Sequence, residues 1–325
     1  MKTTLGAKKF GIYFYESAAM AVTSLIYKYM DTEGARKTIS NSTLKFTRPS
    51  EMNDPFDVNI YDLYNLEINE LMHEHCMRQH DLLLTDPKAY ALETGTEVET
   101  AIQRSKMMNN VRATAMRELR SEFAAASRLR LDQDLSVEMA KLDADRLLEV
   151  EKFKNTGIFC ATKNNSNLLM WAHYAEKHYG VVLGFRPDSE RDSFLRQLES
   201  VVYTNKRPKY YESITNWKFE TDKAKQQQIG AGISRRMIYS KSNHWAYEVE
   251  LRLHIPSAVK HSEPASFFKF YPSELVEVYF GCRMLDDVKT EIVGLAKKLN
   301  PSVRIFTARL AKDTYDLEFD ESLTV

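Results

Sequence analysis

The chain has 325 residues, 43% apolar and 28% charged, so it can bury a sizeable core and is neither fibrous nor disordered. Lysine plus arginine number 45 and aspartate plus glutamate 45, so no global charge argues for nucleic acid or an anionic membrane as a partner. Three cysteines without paired spacing argue against a disulfide framework, no run approaches about 18 apolar residues, and the first residues lack a signal-peptide pattern; a cytoplasmic protein with no membrane partner is expected.

Residues 1–24 offer only a short strand or turn near Ile12–Tyr15. Ser24–Met30 reads as a strand with Tyr27 and Tyr29 on one face and Ile26 and Lys28 on the other. A short helix around Ala35–Ser40 and a strand at Thr43–Thr47 follow. The next stretch, SEMNDPFDV, is a turn: Asn53 and Asp54 can bond their own backbone, and Pro55 disfavours a helical Asp54.

Between about Asn65 and Lys154 glycine is nearly absent and helix formers dominate, with breaks at Asp86-Pro87 and Gly95. Glu97–Phe123 and Ser136–Phe153 are the clearest helices. The chain therefore divides into residues 1–64 and 156–325, two parts of one α+β core, with 65–155 a helical insertion between them. After it come strands at Gly157–Thr162 and Val181–Phe185, flanking a helix Leu168–Lys177 started by an asparagine-rich cap. Val201–Thr204 is a short strand, and Lys218–Ile238 a helix interrupted near Gly230 and Gly232. Strands at Ser266–Tyr271 and Leu275–Gly281, an amphipathic helix Leu285–Leu299, and strands at Val303–Ala308 and Tyr315–Phe319 complete the pattern.

The most informative stretch is Tyr239–Ile255, YSKSNHWAYEVELRLHI. From Glu248 it alternates: Glu248, Glu250, Arg252 and His254 on one parity, Tyr247, Val249, Leu251, Leu253 and Ile255 on the other. On a strand this puts both carboxylates on one face, roughly 6.5–7 Å apart, with Arg252 offsetting their repulsion. Two readings remain open: a solvated face of an antiparallel sheet, or a cleft lined by paired carboxylates with Trp245 and Tyr247 at its mouth.

The phosphate-loop, GxGxxG, GxSxG and HExxH patterns do not occur. His73, Cys76 and His80 share a helical face but supply three ligands without a fourth, so no metal site is assigned. Lys206, Arg207 and Lys209 beside Tyr203, Tyr210 and Tyr211 combine cations with stacking surfaces, as an ordinary exposed loop or a site for single-stranded nucleic acid or an anionic cofactor would. In Leu168–Tyr174, Trp171 falls on a core stripe with Leu168 and Ala175, while His173, one position from Tyr174, lies on a different side, where it would face a cleft.

Five blocks carry a resemblance: YKY at Tyr27–Tyr29, FTRPSEMNDPFD at Phe46–Asp57, LLMWAHYAEKHYGVVLGF at Leu168–Phe185, WAYEVELRL at Trp245–Leu253 and VYFGCRM at Val278–Met284. Together they resemble an uncharacterised bacterial DUF family that includes abortive-infection (AbiGi-like) phage-resistance proteins. More distantly, the opening Y-K-Y strand, the strand ending in F-T and the later E-x-E strand resemble the ADP-ribosyltransferase superfamily, a mixed or antiparallel β core here carrying a helical insertion. That likeness implies a toxin-type antiviral defence transferase that cleaves NAD and passes ADP-ribose to a protein, a nucleic acid or water. By the resemblance, Glu250 is the catalytic carboxylate and Glu248 assists. Tyr27, Lys28, Tyr29, Thr47, Asn53, Asp54, Trp171, His173, Tyr174 and Arg252 would surround the NAD. The first-strand position is Lys28 or Tyr29 where the superfamily has His or Arg. A toxin would also imply an antitoxin or regulatory partner. The other expectation is a non-enzymatic sensor or adaptor that uses the insertion as an interaction surface and Glu248, Glu250 and Arg252 as a structural ion network.

Overall fold

A computed structural model describes residues 24–58, 77–118, 153–208, 223–256, 258–259, 263 and 265–322. The expected strand at Ile12–Tyr15, most of the helix Ser136–Phe153, and His73, Cys76, Lys209, Tyr210 and Tyr211 lie outside them. The chain divides into two compact units: Met1–Asp57, Phe153–Arg207 and Tyr239–Val325 in one, Val58–Lys152 and Pro208–Ile238 in the other.

The first unit is α+β. Its strands are β1 (Ile26–Met30), β2 (Thr43–Thr47), β3 (Gly157–Thr162), β4 (Val181–Phe185), β5 (Glu199–Ser200), β6 (Val202–Thr204), β7 (Ser240–Ser242), β8 (Glu250–Ile255), β9 (Ala265–Lys269), β10 (Leu275–Phe280), β11 (Arg304–Leu310) and β12 (Leu317–Glu321). The main sheet runs β12-β11-β10-β4-β1-β3-β2-β9, with β8 added to β3 and β5 to β8; β6 and β7 pair separately. Within the main sheet β10 and β11 are parallel and the other pairs antiparallel. The sheet is therefore mixed and largely antiparallel.

Helix α1 (Thr32–Asn41) starts where the Asp31 carboxylate accepts the Gly34 N–H at 2.6 Å, and it stops at Ser42 in the left-handed region. Period-two alternation gives the sheet two buried faces. Ile26, Leu183, Phe185, Val278 and Phe280 pack with Ala35 and Ile39 of α1 and with Ile292 and Ala296 of the C-terminal helix. Tyr29, Val182, Tyr279 and Phe306 pack instead with Met170 and Trp171. Those two residues belong to a short helix, Leu168–Tyr174, capped by the Asn167 side chain.

The sheet forks at β3. All six residues of β3 pair with β8. A strand has only two edges, so β1, bridged at Tyr27–Thr162, and β2, bridged at Thr47–Ile158, share the opposite edge and diverge from it. Lys28 Nζ donates to the Cys160 carbonyl at 2.7 Å, between the two bridges.

In the second unit, residues 77–85 are helical. They are followed by α2 (Pro87–Thr94) and α3 (Val98–Glu118). Leu83, Ala91 and Ala101 form a small core with Tyr90 and Met108 beside it. A further helix, Lys223–Tyr239, runs through Gly230 and Gly232 without the expected interruption. A glycine in a helix interior costs only about 1 kcal/mol, which the rest of the helix offsets. In chain order the helices Leu168–Tyr174, Lys223–Tyr239 and Asp286–Leu299 are α4, α5 and α6.

Candidate functional site

The stretch expected to form one strand from Glu248 is built in two parts. Asn243–Glu248 is a 3-10 turn, capped by Ser242, and Val249 takes φ 46 and ψ 49 before β8 begins at Glu250. A β-branched residue in the left-handed region breaks the pleat. Glu248 is therefore delivered by the turn and not by strand alternation. The reading of a solvated face does not hold. From Glu250 onward the alternation is real, but Glu250 and Arg252 are buried rather than solvated.

Two cations and three carboxylates interlock there. Lys241 Nζ donates to Glu248 Oε2 at 2.5 Å and to Glu250 Oε2 at 2.9 Å, with Asp57 Oδ2 3.7 Å away. Arg252 uses its fork twice. Nη1 and Nη2 reach the two oxygens of Asp57 at 3.0 and 2.8 Å, while Nε and Nη2 reach the two oxygens of Glu250 at 2.8 and 2.9 Å. The side chains of Arg252, Asp57, Glu248, Glu250 and Lys241 are 0–4% exposed. Three carboxylates against two cations leave one negative charge in excess.

Hydrogen bonds fix the rim. Tyr174 Oη donates to Glu248 Oε1 at 2.6 Å and accepts from Asn53 Nδ2 at 2.9 Å. Thr162 Oγ1 donates to the Glu248 carbonyl at 2.6 Å, and the Glu250 N–H donates to Tyr203 Oη at 2.8 Å. Asn167 caps α4 by accepting the Met170 N–H, and its Nδ2 donates to the Tyr247 carbonyl, each at 3.1 Å. One side chain thus ties the helix bearing Tyr174 to the turn bearing Glu248.

The electrostatics follow from burial opposed by neighbours. Desolvation pushes the Glu250 carboxyl up, but the charges of Arg252 and Lys241 outweigh it and hold it at about 2. Desolvation lowers Lys241, while Glu250, Glu248 and Asp57 raise it to a net value well above the ordinary one. Burial, then the bond to and charge of Glu248, raise Tyr174. Burial and the nearby carboxylates bring Tyr203 to about 12, and burial with Glu250 nearby brings the Cys160 thiol to about 12.

Of the residues expected around a cofactor, the network gathers Arg252, Tyr174 and Asn53 with Glu248 and Glu250. Asp54 is buried beside it and accepts the Phe56 N–H at 2.9 Å. Other residues go elsewhere. Trp171 is 0% exposed, its Nε1–H donates to the Asn165 carbonyl, and Tyr29 meets it edge-on at 5.5 Å. Neither ring has a face free for stacking, so both belong to the core. Tyr27 joins Tyr279 and the buried Glu277, its hydroxyl 3.5 Å from that carboxylate. Lys28 is engaged at the sheet fork, and Thr47 sits at the end of β2 opposite Ile158. His173 is exposed and, with Tyr174, lines a cavity of about 650 Å³ that also meets Thr32, Arg36, Glu176 and Leu285.

Sequence reasoning missed Lys241 and Asp57, and it set Tyr203 beside a basic loop rather than against the Glu250 N–H. Lys241 lies inside the most informative stretch and Asp57 inside the NDPFD block, but nothing local marks either as an ion-pair partner. Among the described residues, no group of three or more His, Cys, Asp or Glu is placed to hold a metal ion. Nor is any helix there long and apolar enough to cross a membrane.

A family model for a protein of unknown function, DUF2971, matches residues 170–253. No curated protein and no solved structure matches the chain. The DUF2971 segment contains Trp171, His173, Tyr174, Lys241, Glu248, Glu250 and Arg252 and leaves out Asn53 and Asp57. It thus supplies most of the ion network, while the partner that completes the Arg252 fork comes from outside the matched range. The family description brings no reaction with it.

Proposed function

We propose that this chain is an NAD-cleaving transferase of the ADP-ribosyltransferase type, with a role in bacterial anti-phage defence or as a toxin, passing ADP-ribose to a protein, a nucleic acid or water. The observation that carries the reading is the setting of Glu248. One oxygen takes the Tyr174 hydroxyl and the other the Lys241 ammonium, inside a cluster with one negative charge in excess. Heterolysis of the nicotinamide–ribose bond leaves the electron pair on nicotinamide and positive charge on the ribose, and a preorganised carboxylate stabilises that charge. In this reading Glu248 does that work. Glu250, chosen first from the sequence, has both oxygens held by Arg252 and serves to fix Lys241. Tyr174 and Asn53 orient Glu248.

The test is nicotinamide release from NAD by the purified chain, with and without cell lysate. Release by the wild type, lost in Glu248→Gln at an unchanged melting temperature, is the expected result. Release that persists undiminished in that variant would overturn the assignment.

A second reading has its own observation in favour, the near-complete burial and mutual pairing of Arg252, Asp57 and Glu250. It makes the network a scaffold within a non-enzymatic sensor or adaptor. In that case no condition yields nicotinamide, and Glu248→Gln lowers the melting temperature.

A further inference from the structure

The two chain crossings that flank the excursion Pro208–Ile238 converge on the ion network. Strand β6 leads out of the first unit and β7 leads back into it. The two pair in parallel as a ribbon outside the main sheet, with Tyr203 directly opposite Lys241. Both residues reach the network. The Tyr203 hydroxyl accepts the Glu250 N–H at 2.8 Å, and Lys241 Nζ donates to Glu248 and Glu250. A ribbon of two short strands is marginal by itself, so its place is set by what its ends are joined to.

Helix α5 belongs to the second unit as far as Ile238 and runs into β7 with no residue between them. Its 17 residues make a rod of roughly 25 Å. No loop absorbs a tilt or slide of that rod before it reaches Lys241. Asp57, the other carboxylate near Lys241, is likewise the last residue of the first unit before Val58. Withdrawing Lys241 leaves Asp57, Glu248 and Glu250 against Arg252 alone. Glu248 then keeps Tyr174 on one oxygen and loses the ammonium on the other. A buried carboxylate stripped of its cation takes up a proton or swings toward water, and either change removes the ionised, fixed Glu248.

We propose that α5 and β7 form a lever through which the second unit regulates Glu248, with the network assembled when Lys241 is seated and disabled when Lys241 is drawn out. A partner of the second unit that shifts α5 would act on this carboxylate without touching it. The lever rests on the connectivity and the bonds above; that it gates NAD cleavage rests on the proposed function.

Gly232 lies inside α5, and a Cβ placed on it meets nothing within 4 Å. Gly232→Ala therefore stiffens the helix without a clash, and Gly232→Pro breaks it. The readout is amide hydrogen exchange in the full chain. Gly232→Pro should speed exchange at least tenfold across residues 240–250 and in β6, and Gly232→Ala should slow it at least twofold, with α6 and β11 unchanged in both. Three glycines inserted between Tyr239 and Ser240 should abolish the difference between the variants. Equal exchange across residues 240–250 in all chains, a difference that survives the insertion, or a change of the same size in α6 would overturn the lever. If Gly232→Pro fails to fold, wild type against Gly232→Ala, with and without the insertion, gives the same reading. Should the exchange pattern appear while NAD is never cleaved, the lever stands and the transferase reading falls. Cleavage of NAD at one rate in wild type and both variants, with exchange unchanged, would sink the lever and leave the transferase reading standing.

Discussion

Asp57 and Arg252 lie 195 residues apart in the chain and meet as a two-toothed fork, Oδ1 on Nη1 at 3.0 Å and Oδ2 on Nη2 at 2.8 Å. Asp57 ends the turn after β2, and Arg252 stands in the middle of β8, opposite Cys160. The pair therefore joins the turn after β2 to β8.

Arg252→Lys should destabilise the protein by about 1–3 kcal/mol, because lysine leaves buried carboxylate oxygens of Asp57 and Glu250 without hydrogen bonds that the guanidinium gives them. Lysine keeps the charge but has no planar fork, so it cannot hold Asp57 and Glu250 in the same geometry. Urea unfolding measures the change; a midpoint equal to that of the wild type would show that the double fork contributes nothing.

Glu250 makes stability depend on acid. Its carboxyl is held at about 2 in the folded chain against an ordinary 4.5. Between those values the unfolded chain binds more protons, so stability falls as the pH drops. The contribution of ionised Glu250 is complete above about pH 4.5 and disappears as the pH falls through 2. Denaturant unfolding of wild type and Glu250→Gln at several pH values should show a gap that is constant at about pH 5–7 and narrows below 4.5. A gap that persists unchanged at pH 2 would contradict this origin.

Asn167 has two jobs, and two substitutions separate them. Asn167→Ala removes the helix cap and the bond to Tyr247, and should cost about 1–2 kcal/mol. Asn167→Asp retains the cap acceptor but cannot donate to the Tyr247 carbonyl. Its loss of stability should be smaller, with the disturbance reported by faster amide exchange in Asn243–Val249. Equal behaviour of the two variants would mean that the link to the turn carries no weight.

Val249 is 45% exposed and sits in the left-handed region, which costs a side-chain-bearing residue about 1–2 kcal/mol. Val249→Gly removes that cost and adds back about 0.5–1 kcal/mol through the freer unfolded chain. A net gain of up to about 1 kcal/mol is expected in thermal unfolding. A clear loss would show that the valine side chain contributes more by packing than its backbone costs.

Local pattern was enough for much of the frame. Thr43–Thr47, Gly157–Thr162 and Val181–Phe185 are strands at the residues where apolar, β-branched runs between turn formers place them. Helix α6 follows its apolar stripe, and the alternation from Glu250 to Ile255 separates the charged face of β8 from its core face. These features depend on neighbours a few residues away, and periodicity records them. The site depends on other information. Glu248 lies off the strand because Val249 adopts a conformation that β-branched residues disfavour, and no propensity rule anticipates it. Lys241 and Asp57 became ion-pair partners only when β7, β8 and the turn after β2 were packed together around a branching sheet. A buried charge needs its counter-charge within hydrogen-bond reach, but any surface lysine or aspartate looks the same in a sequence until burial removes the water. Long-range packing also settled which aromatics are open: it covered Trp171 and Tyr29 and left Trp245, Tyr247 and Phe56 around a cavity.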